Sequence, residues 1–415
     1  MTYREAVSWL YGLQLHGIKL GLAQMRKICE TLGVALGESD FAPACIHVAG
    51  TNGKGSVCAM LDSICRASGL RTGLYTSPHL VTFRERIRLD GVMIPEKAVA
   101  QGLERIRAIT QGWENPPTFF EVTTALALEW FHAQRAEVAV LETGLGGRLD
   151  ATNVVTPVVS VLTPIAMDHQ RYLGDTLAEI AGEKCGIIKP RVPVISAPQA
   201  AEAEEVIRQH AIDASSALAV VDRPFVGGEV GLGGEHQRWN AALAARTLSV
   251  LGSHSPFSRV HADSILSGLR NVQWPGRFQQ VGDRFVLDGA HNPAAAEALV
   301  NTWRELFGEA EATIVIGVMR DKDVSAVCAT LAPIAERFLP VTVGNPRSCT
   351  ASELAAVIHE HAPAVTCEPH ENLRLALAKA GRYPERVLAC GSLFLVGEAL
   401  FALGLAEAPP ELTSQ

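Results

Sequence analysis

A chain of 415 residues, 48% hydrophobic and 19% charged, has the composition of an ordinary soluble protein and the length for two hydrophobic cores. A formal net charge of −8 without a long Lys/Arg run excludes a nucleic acid held by bulk electrostatics, and no apolar run is long enough to span a bilayer. With an acid at Glu5 and no secretory apolar core at the amino terminus, the expectation is a cytoplasmic protein acting on small molecules, with neither nucleic acid nor membrane as partner.

Gly17, Ile18, Lys19 and Leu20 read as a turn between two amino-terminal helices. The next segment, Cys45-Ile-His-Val-Ala-Gly-Thr-Asn-Gly-Lys-Gly-Ser56, is the most informative one. A strand-like apolar run feeds a glycine-rich turn and then a helix-patterned stretch from Val57 to Arg66. Glycines let backbone N–H groups converge on phosphate oxygens, the helix adds its positive end, Lys54 reaches the outer phosphates and Ser56 can touch a magnesium ion. Gly55 between the lysine and the hydroxyl departs from the common G-x-x-x-x-G-K-[ST] spacing. Cys58 and Cys65 read as small buried hydrophobes, and nine cysteines without a C-x-x-C pair argue against disulfides and a zinc site.

Thr76 to Arg88 gathers a histidine and three arginines after the strand-like Leu74-Tyr75, which suits an anionic carboxylate substrate and equally a solvated amphipathic edge. Thr118 to Gln134 reads as a helix, and Glu137–Leu141 and Val158–Leu162 as buried parallel strands of a doubly wound α/β sheet. Ligands of such sheets gather beyond the strands' carboxyl ends, so Glu142 after the first and His169 after the second should face the nucleotide. Glu142 is placed to hold magnesium on triphosphate oxygens. Lys184 has by itself the look of a surface lysine on a helix.

After Val272 the pattern changes. Gln273-Trp-Pro-Gly-Arg277 reads as a linker, followed by a second α/β series with strands at Arg284–Asp288, Thr313–Gly317 and Arg386–Cys390. Asp288 and His291 lie at a strand end, with Asn292 as a cap for a helix opening at Pro293.

These segments together resemble the folylpolyglutamate synthase and dihydrofolate synthase family of the Mur ligase superfamily. The resemblance rests on Ala-Gly-Thr-Asn-Gly-Lys-Gly-Ser56, Ser-Pro-His-Leu80, Thr118-Phe-Phe-Glu121, Glu-Thr-Gly-Leu-Gly-Gly-Arg-Leu-Asp-Ala-Thr-Asn153, Asp168-His169, Glu-Lys184, Pro-Gly-Arg-Phe278, Asp-Gly-Ala-His-Asn-Pro293 and Asp-Lys-Asp323, in the family's order over nearly the whole chain. It implies a Mur-ligase-like P-loop domain with a parallel sheet over residues 1–273, binding ATP, metal and pterin. A linker at 274–277 and a smaller Rossmann-like glutamate ligase domain at 278–415 would follow.

The implied reaction adds L-glutamate to dihydropteroate or a reduced folate through an acyl phosphate, with ATP as co-substrate, two Mg2+ ions, and a monomer as the working unit. Asn52, Gly53, Lys54, Gly55, Ser56, Asn240, Arg277 and Asp288 match ATP contacts. Ser77, Glu142, His169 and Lys184, the last as an N-carboxylated lysine, match magnesium ligands. Lys54, Glu142, His169, Lys184 and His291 are the implied catalytic set. Gly17 to Leu20, Thr118, Leu149, Asp150 and Ala151 match the pterin-binding segments of bifunctional members. A ligase that only extends folate glutamate tails, a small-molecule kinase and a nucleotide-gated binding module remain as alternatives.

Overall fold

The structure, a computed structural model, describes residues 1–16, 21–36 and 42–411. Gly17, Ile18, Lys19 and Leu20, expected at the pterin, lie outside the described residues. The chain divides into two compact units.

The first unit holds β1 (Ala44–Ala49), β2 (Thr72–Tyr75), β3 (Ile87–Leu89), β4 (Val92–Met93), β5 (Val138–Glu142), β6 (Val159–Leu162), β7 (Val194–Ser196) and β8 (Leu218–Val220). They form one sheet in the order β4-β3-β2-β5-β1-β6-β7-β8. The expected parallel sheet is its larger part; β3 pairs antiparallel with β2 and with β4, so the whole is mixed. A short return after β2 makes this hairpin-like edge, since a parallel neighbour would need a longer crossover.

The central strands are buried on both faces, which is why they read as nearly unbroken apolar runs. Register brings their carboxyl ends level: Val48 opposes Glu142, Ala49 opposes Leu162, and Tyr75 opposes Leu141. Gly50, Thr76, Glu142 and Thr163 therefore leave the sheet along one edge. Beneath it runs the helix Lys54–Ala67, every residue of which from Gly55 to Cys65 is buried, including Cys58 and Cys65. The helix expected from Thr118 spans Phe119–Ala133, with Thr118 as its cap.

The second unit holds β9 (Gln279–Val281), β10 (Phe285–Leu287), β11 (Ala312–Ile316), β12 (Ala335–Pro340), β13 (Thr366–Cys367) and β14 (Arg386–Cys390), in the order β13-β12-β11-β14-β10-β9. Only β9 runs antiparallel among these pairs. Its core includes the fully buried Trp303, against which Phe278 and Phe307 pack. Chain order assigned residues 79–82 and 232–237 to the first domain, but both group with the second unit. For the former the cause is apolar burial: Leu80 and Val81 pack on the cluster containing Leu287, Leu395 and Val396. Among the described residues no helix is long and apolar enough to cross a membrane.

Candidate active site

The phosphate-loop sequence folds as a tight strap beyond β1. Gly50 has φ +147°, and a Cβ there would lie 1.9 Å from Thr163 Oγ1. Gly53, at φ +87°, caps the helix Lys54–Ala67, and its Cβ would lie 2.7 Å from Asn240 Oδ1. Both positions need glycine for conformation and for space. The Thr51 and Asn52 amides donate to Pro164 O at 3.0 and 3.1 Å. Asn240 and the loop are thus brought together. Lys54 Nζ donates to Gly50 O and Thr51 O, each at 3.1 Å, while Ser56 is buried in the first helical turn.

Lys184 reaches the same loop from another element. Its helix, Leu177–Cys185, starts on a Thr176/Glu179 capping box and buries Ile180, Ala181, Lys184 and Cys185. The lysine therefore stands one turn after Ile180 on the apolar stripe, and it is not the surface residue that composition suggests. Its Nζ donates to Gly50 O at 2.8 Å. Burial, reinforced by nearby Lys54 and opposed by Asp168 and Asp150, pushes its pKa down to about 7.

Glu142, the last residue of β5, is buried and accepts the Ser77 amide at 3.0 Å. His169 has φ 53° at the start of a short helix, donates its amide to Asp168 Oδ1 at 2.8 Å and keeps an exposed ring. Among the described residues no group of three or more His, Cys, Asp or Glu side chains is arranged to hold a metal ion. The candidate ligand set contains only two of those types, with a hydroxyl and a lysine completing it.

The turn after Glu142 is closed on itself. Asp150 accepts the Gly144 and Leu145 amides on Oδ2, both at 2.9 Å. On Oδ1 it accepts the Thr152 amide at 3.0 Å and the Thr152 hydroxyl. A carboxylate has about four lone-pair directions, and the turn engages all four from within. Asn153 Nδ2 donates to Arg148 O (3.0 Å) and Gly186 O (2.9 Å), and the Arg148 amide donates to Glu183 O (2.8 Å), which ties the turn to the helix carrying Lys184. Leu149 is half-buried, Asp150 and Ala151 buried. Thr118 is similarly engaged: its hydroxyl accepts the Glu121 amide and donates to Glu121 Oε2 at 2.8 Å. Sequence reasoning missed Thr152 and Asn153 as the organisers of this turn, although both stand inside the quoted motif.

In the second unit, Asp288 follows β10 and accepts the Phe278 amide (2.7 Å) and the Ala290 amide (2.8 Å). Arg277 lies over Gly289, where a Cβ would come within 2.7 Å of its Nη1. His291 Nδ1 bonds Gly289 O at 2.8 Å, which makes Nδ1 the donor. Asn292 caps the helix Pro293–Phe307. His236, missed from sequence, bonds Thr302 Oγ1; burial lowers its pKa, Asp288 opposes this and Arg277 adds to it. A shallow cavity of about 580 Å³ lined by Asp283, Arg284, Glu311, Glu385 and Arg386 lies at the other end of this sheet. Its Arg284 is engaged by the main-chain carbonyls of Gly381, Tyr383 and Glu385.

Residues 48–214 match the Mur ligase middle domain and residues 276–393 the Mur ligase glutamate ligase domain. The chain is 32% identical, over 96% of its own length and 98% of the relative's, to a dihydrofolate synthase/folylpolyglutamate synthase of Bacillus subtilis. A Mycobacterium tuberculosis folylpolyglutamate synthase solved with ADP and AMPPCP superposes with a TM-score of 0.86 at 31% identity, covering 99% of this chain and 100% of that one. Escherichia coli FolC in complex with DHPP and ADP gives 0.84 at 32% identity, covering 97% and 98%.

Proposed function

Because the chain belongs to the dihydrofolate synthase/folylpolyglutamate synthase family of Mur ligases, we propose that it is an ATP-dependent ligase joining a pteroyl carboxylate to the amine of L-glutamate. Dihydropteroate is the acceptor in one reaction and a reduced folate in the other. ADP and phosphate leave. The observation that carries this reading is the match over 96% of the chain, joined to a phosphate loop on which Lys54 and Lys184 converge.

A carboxylate is a poor acyl donor because expelling oxide from it is prohibitively unfavourable. Its oxygen first attacks the γ-phosphorus, the bond to ADP breaks, and an acyl phosphate results. The glutamate amine then adds to the acyl carbon, and the tetrahedral adduct expels phosphate as the amine loses its proton. Loop amides from Gly53 to Ser56 and the Lys54 ammonium hold phosphate oxygens and stabilise charge that grows on them. Asn240, against Gly53, contacts the nucleotide. By resemblance, Arg277 and Asp288 are further nucleotide contacts and His291 a further catalytic residue.

The donor chemistry fits magnesium. Ser77, Glu142, His169 and an N-carboxylated Lys184 would hold Mg2+, two ions in all, and the metal would neutralise triphosphate charge. Lys184 qualifies only in that form. A neutral amine attacks carbon dioxide, an N–C bond forms and a proton leaves, which converts a would-be cation into an oxygen donor. Its burial among Ile180, Ala181 and Cys185 supplies the neutral amine. Labelled 13C-bicarbonate should give a carbamate carbon resonance that disappears in Lys184→Ala; an identical spectrum in that variant would refute the modification.

For the reaction itself, ATP, magnesium, L-glutamate and dihydropteroate should yield phosphate and dihydrofolate, and tetrahydrofolate should yield its glutamylated product. Phosphate release independent of glutamate, or phosphate retained on the acceptor, would indicate a hydrolase or kinase. Product from tetrahydrofolate alone would leave only the tail-extending ligase.

A further inference from the structure

β1 is apolar except for one residue, His47, which is fully buried. Its Nε2 lies 2.8 Å from Thr152 Oγ1, 105 residues along the chain. The Thr152 hydroxyl donates to Asp150. A hydroxyl has one proton, so Thr152 can only accept from His47, and His47 must carry its proton on Nε2. Its Nδ1 has no hydrogen-bond partner. That orphan is consistent with the assignment, since a buried acceptor left unpaired is tolerated better than a buried N–H. Three main-chain amides, of Gly144, Leu145 and Thr152, complete the surroundings of the Asp150 carboxylate.

We propose that His47 is a positioning residue for the pteroyl acceptor. It donates to Thr152, Thr152 donates to Asp150, and Asp150 gathers the amides that fix the turn from Gly144 to Ala151. Asp150 thereby shapes the turn that the acceptor meets, with the half-buried Leu149 beside it. The chemical class addressed is the flat, apolar-faced pterin. This role rests on the function proposed above, whereas the relay itself stands on the contacts alone.

Two measurements test it. In protein labelled with 15N-histidine, the His47 signal, identified by its absence in His47→Gln, should show the neutral Nε2–H tautomer throughout pH 5 to 9. An Nδ1–H tautomer or a titration in that range would overturn the relay. In kinetics, His47→Leu and the isosteric Thr152→Val should each raise KM for dihydropteroate on the order of ten-fold, the effect of one lost buried donor. KM for ATP should stay within about two-fold of the parent. His47→Gln, which offers an amide N–H near the Nε2 position, and Thr152→Ser should recover most of the loss. Equal losses in the Leu and Gln variants, or a parallel rise in KM for ATP, would reduce the role to packing and overturn the proposal. Should His47→Leu fail to fold, Thr152→Val carries the same test. If the parent itself glutamylates no pteroyl acceptor, the functional reading fails. The relay is then judged by the tautomer and by faster amide exchange at Gly144 and Leu145 in Thr152→Val, and unchanged exchange would overturn it too.

Discussion

Two glycine-containing turns leave the adjacent strands β1 and β5, and they dispose of their polar groups in opposite ways. After β1, two lysine side chains lean on the carbonyl of Gly50, and Lys54 also bonds that of Thr51. The Lys54 cation on neutral carbonyls is readily drawn away by phosphate, whose charge-assisted hydrogen bonds are roughly twice as strong as neutral ones. After β5, one carboxylate closes four donors around itself, and Asn153 ties the turn to Arg148 and Gly186. A turn satisfied from within has little left to exchange. The first turn is built to change partners with the ligand, and the second to hold a shape against it.

The contrast would break most visibly at the sheet edge between the turns. Glu142→Gln should lower kcat by about 10²–10³-fold, because the carboxylate charge is lost while the phosphate loop survives. ATP binding, followed by calorimetry, should persist. In Lys54→Ala the loss should instead fall on ATP affinity. Equal ATP affinities for Lys54→Ala and the parent would contradict the assignment of an exchangeable loop lysine.

Next in size is an opposition of stability and activity at Lys184. In the folded protein its pKa is near 7, against about 10.4 in an unfolded chain. Between those values the unfolded chain binds the extra proton, so this residue makes stability rise with pH across that window and lowers it below. Lys184→Met should remove the slope. In metal- and bicarbonate-free buffer at pH 7 it should unfold on the order of 2–4 kcal/mol later than the parent, the gap narrowing towards pH 10. Gly50 O would keep Lys54 as a donor. Turnover should nevertheless be lost, and Lys184→Ala should regain part of it with added acetate. A Lys184→Met variant less stable than the parent at pH 7 would show that the amine is not a buried burden.

How legible these regions were in the sequence follows from the same contrast. The first turn was readable because glycine spacing, Lys54 and Ser56 are contiguous and act through the backbone between them. Strand-end positions such as Glu142 and Asp288 were readable from apolar runs that stop at an acid. The environment of Lys184 was not, because composition places lysine outside, although its spacing from Ile180 on a capped helix carried the signal. The role of Asp150 was unreadable from its own segment. It depends on Thr152 and on His47, a strand residue brought alongside only by the pairing of β1 with β5 and β6. The second unit's hold on residues 79–82 was hidden likewise, since it comes from Leu80 and Val81 packing on residues more than 200 positions later.

The smallest effect separates shape from contact at Thr118. Resemblance places it among pterin-binding residues, but its hydroxyl already serves the first turn of the helix Phe119–Ala133 in a capping box with Glu121. Removing such a cap costs about 1 kcal/mol. Thr118→Ala should therefore lower stability by about that amount in denaturant titration. Thr118→Ser, which keeps the cap, should stay within about 0.5 kcal/mol of the parent. If capping is its whole contribution, KM for dihydropteroate should be equal in Thr118→Ser and the parent and should rise only a few-fold in Thr118→Ala, through a loosened helix start. A ten-fold rise in Thr118→Ser would mean that the methyl group meets the pterin directly, and would move Thr118 from the side of shape to the side of contact.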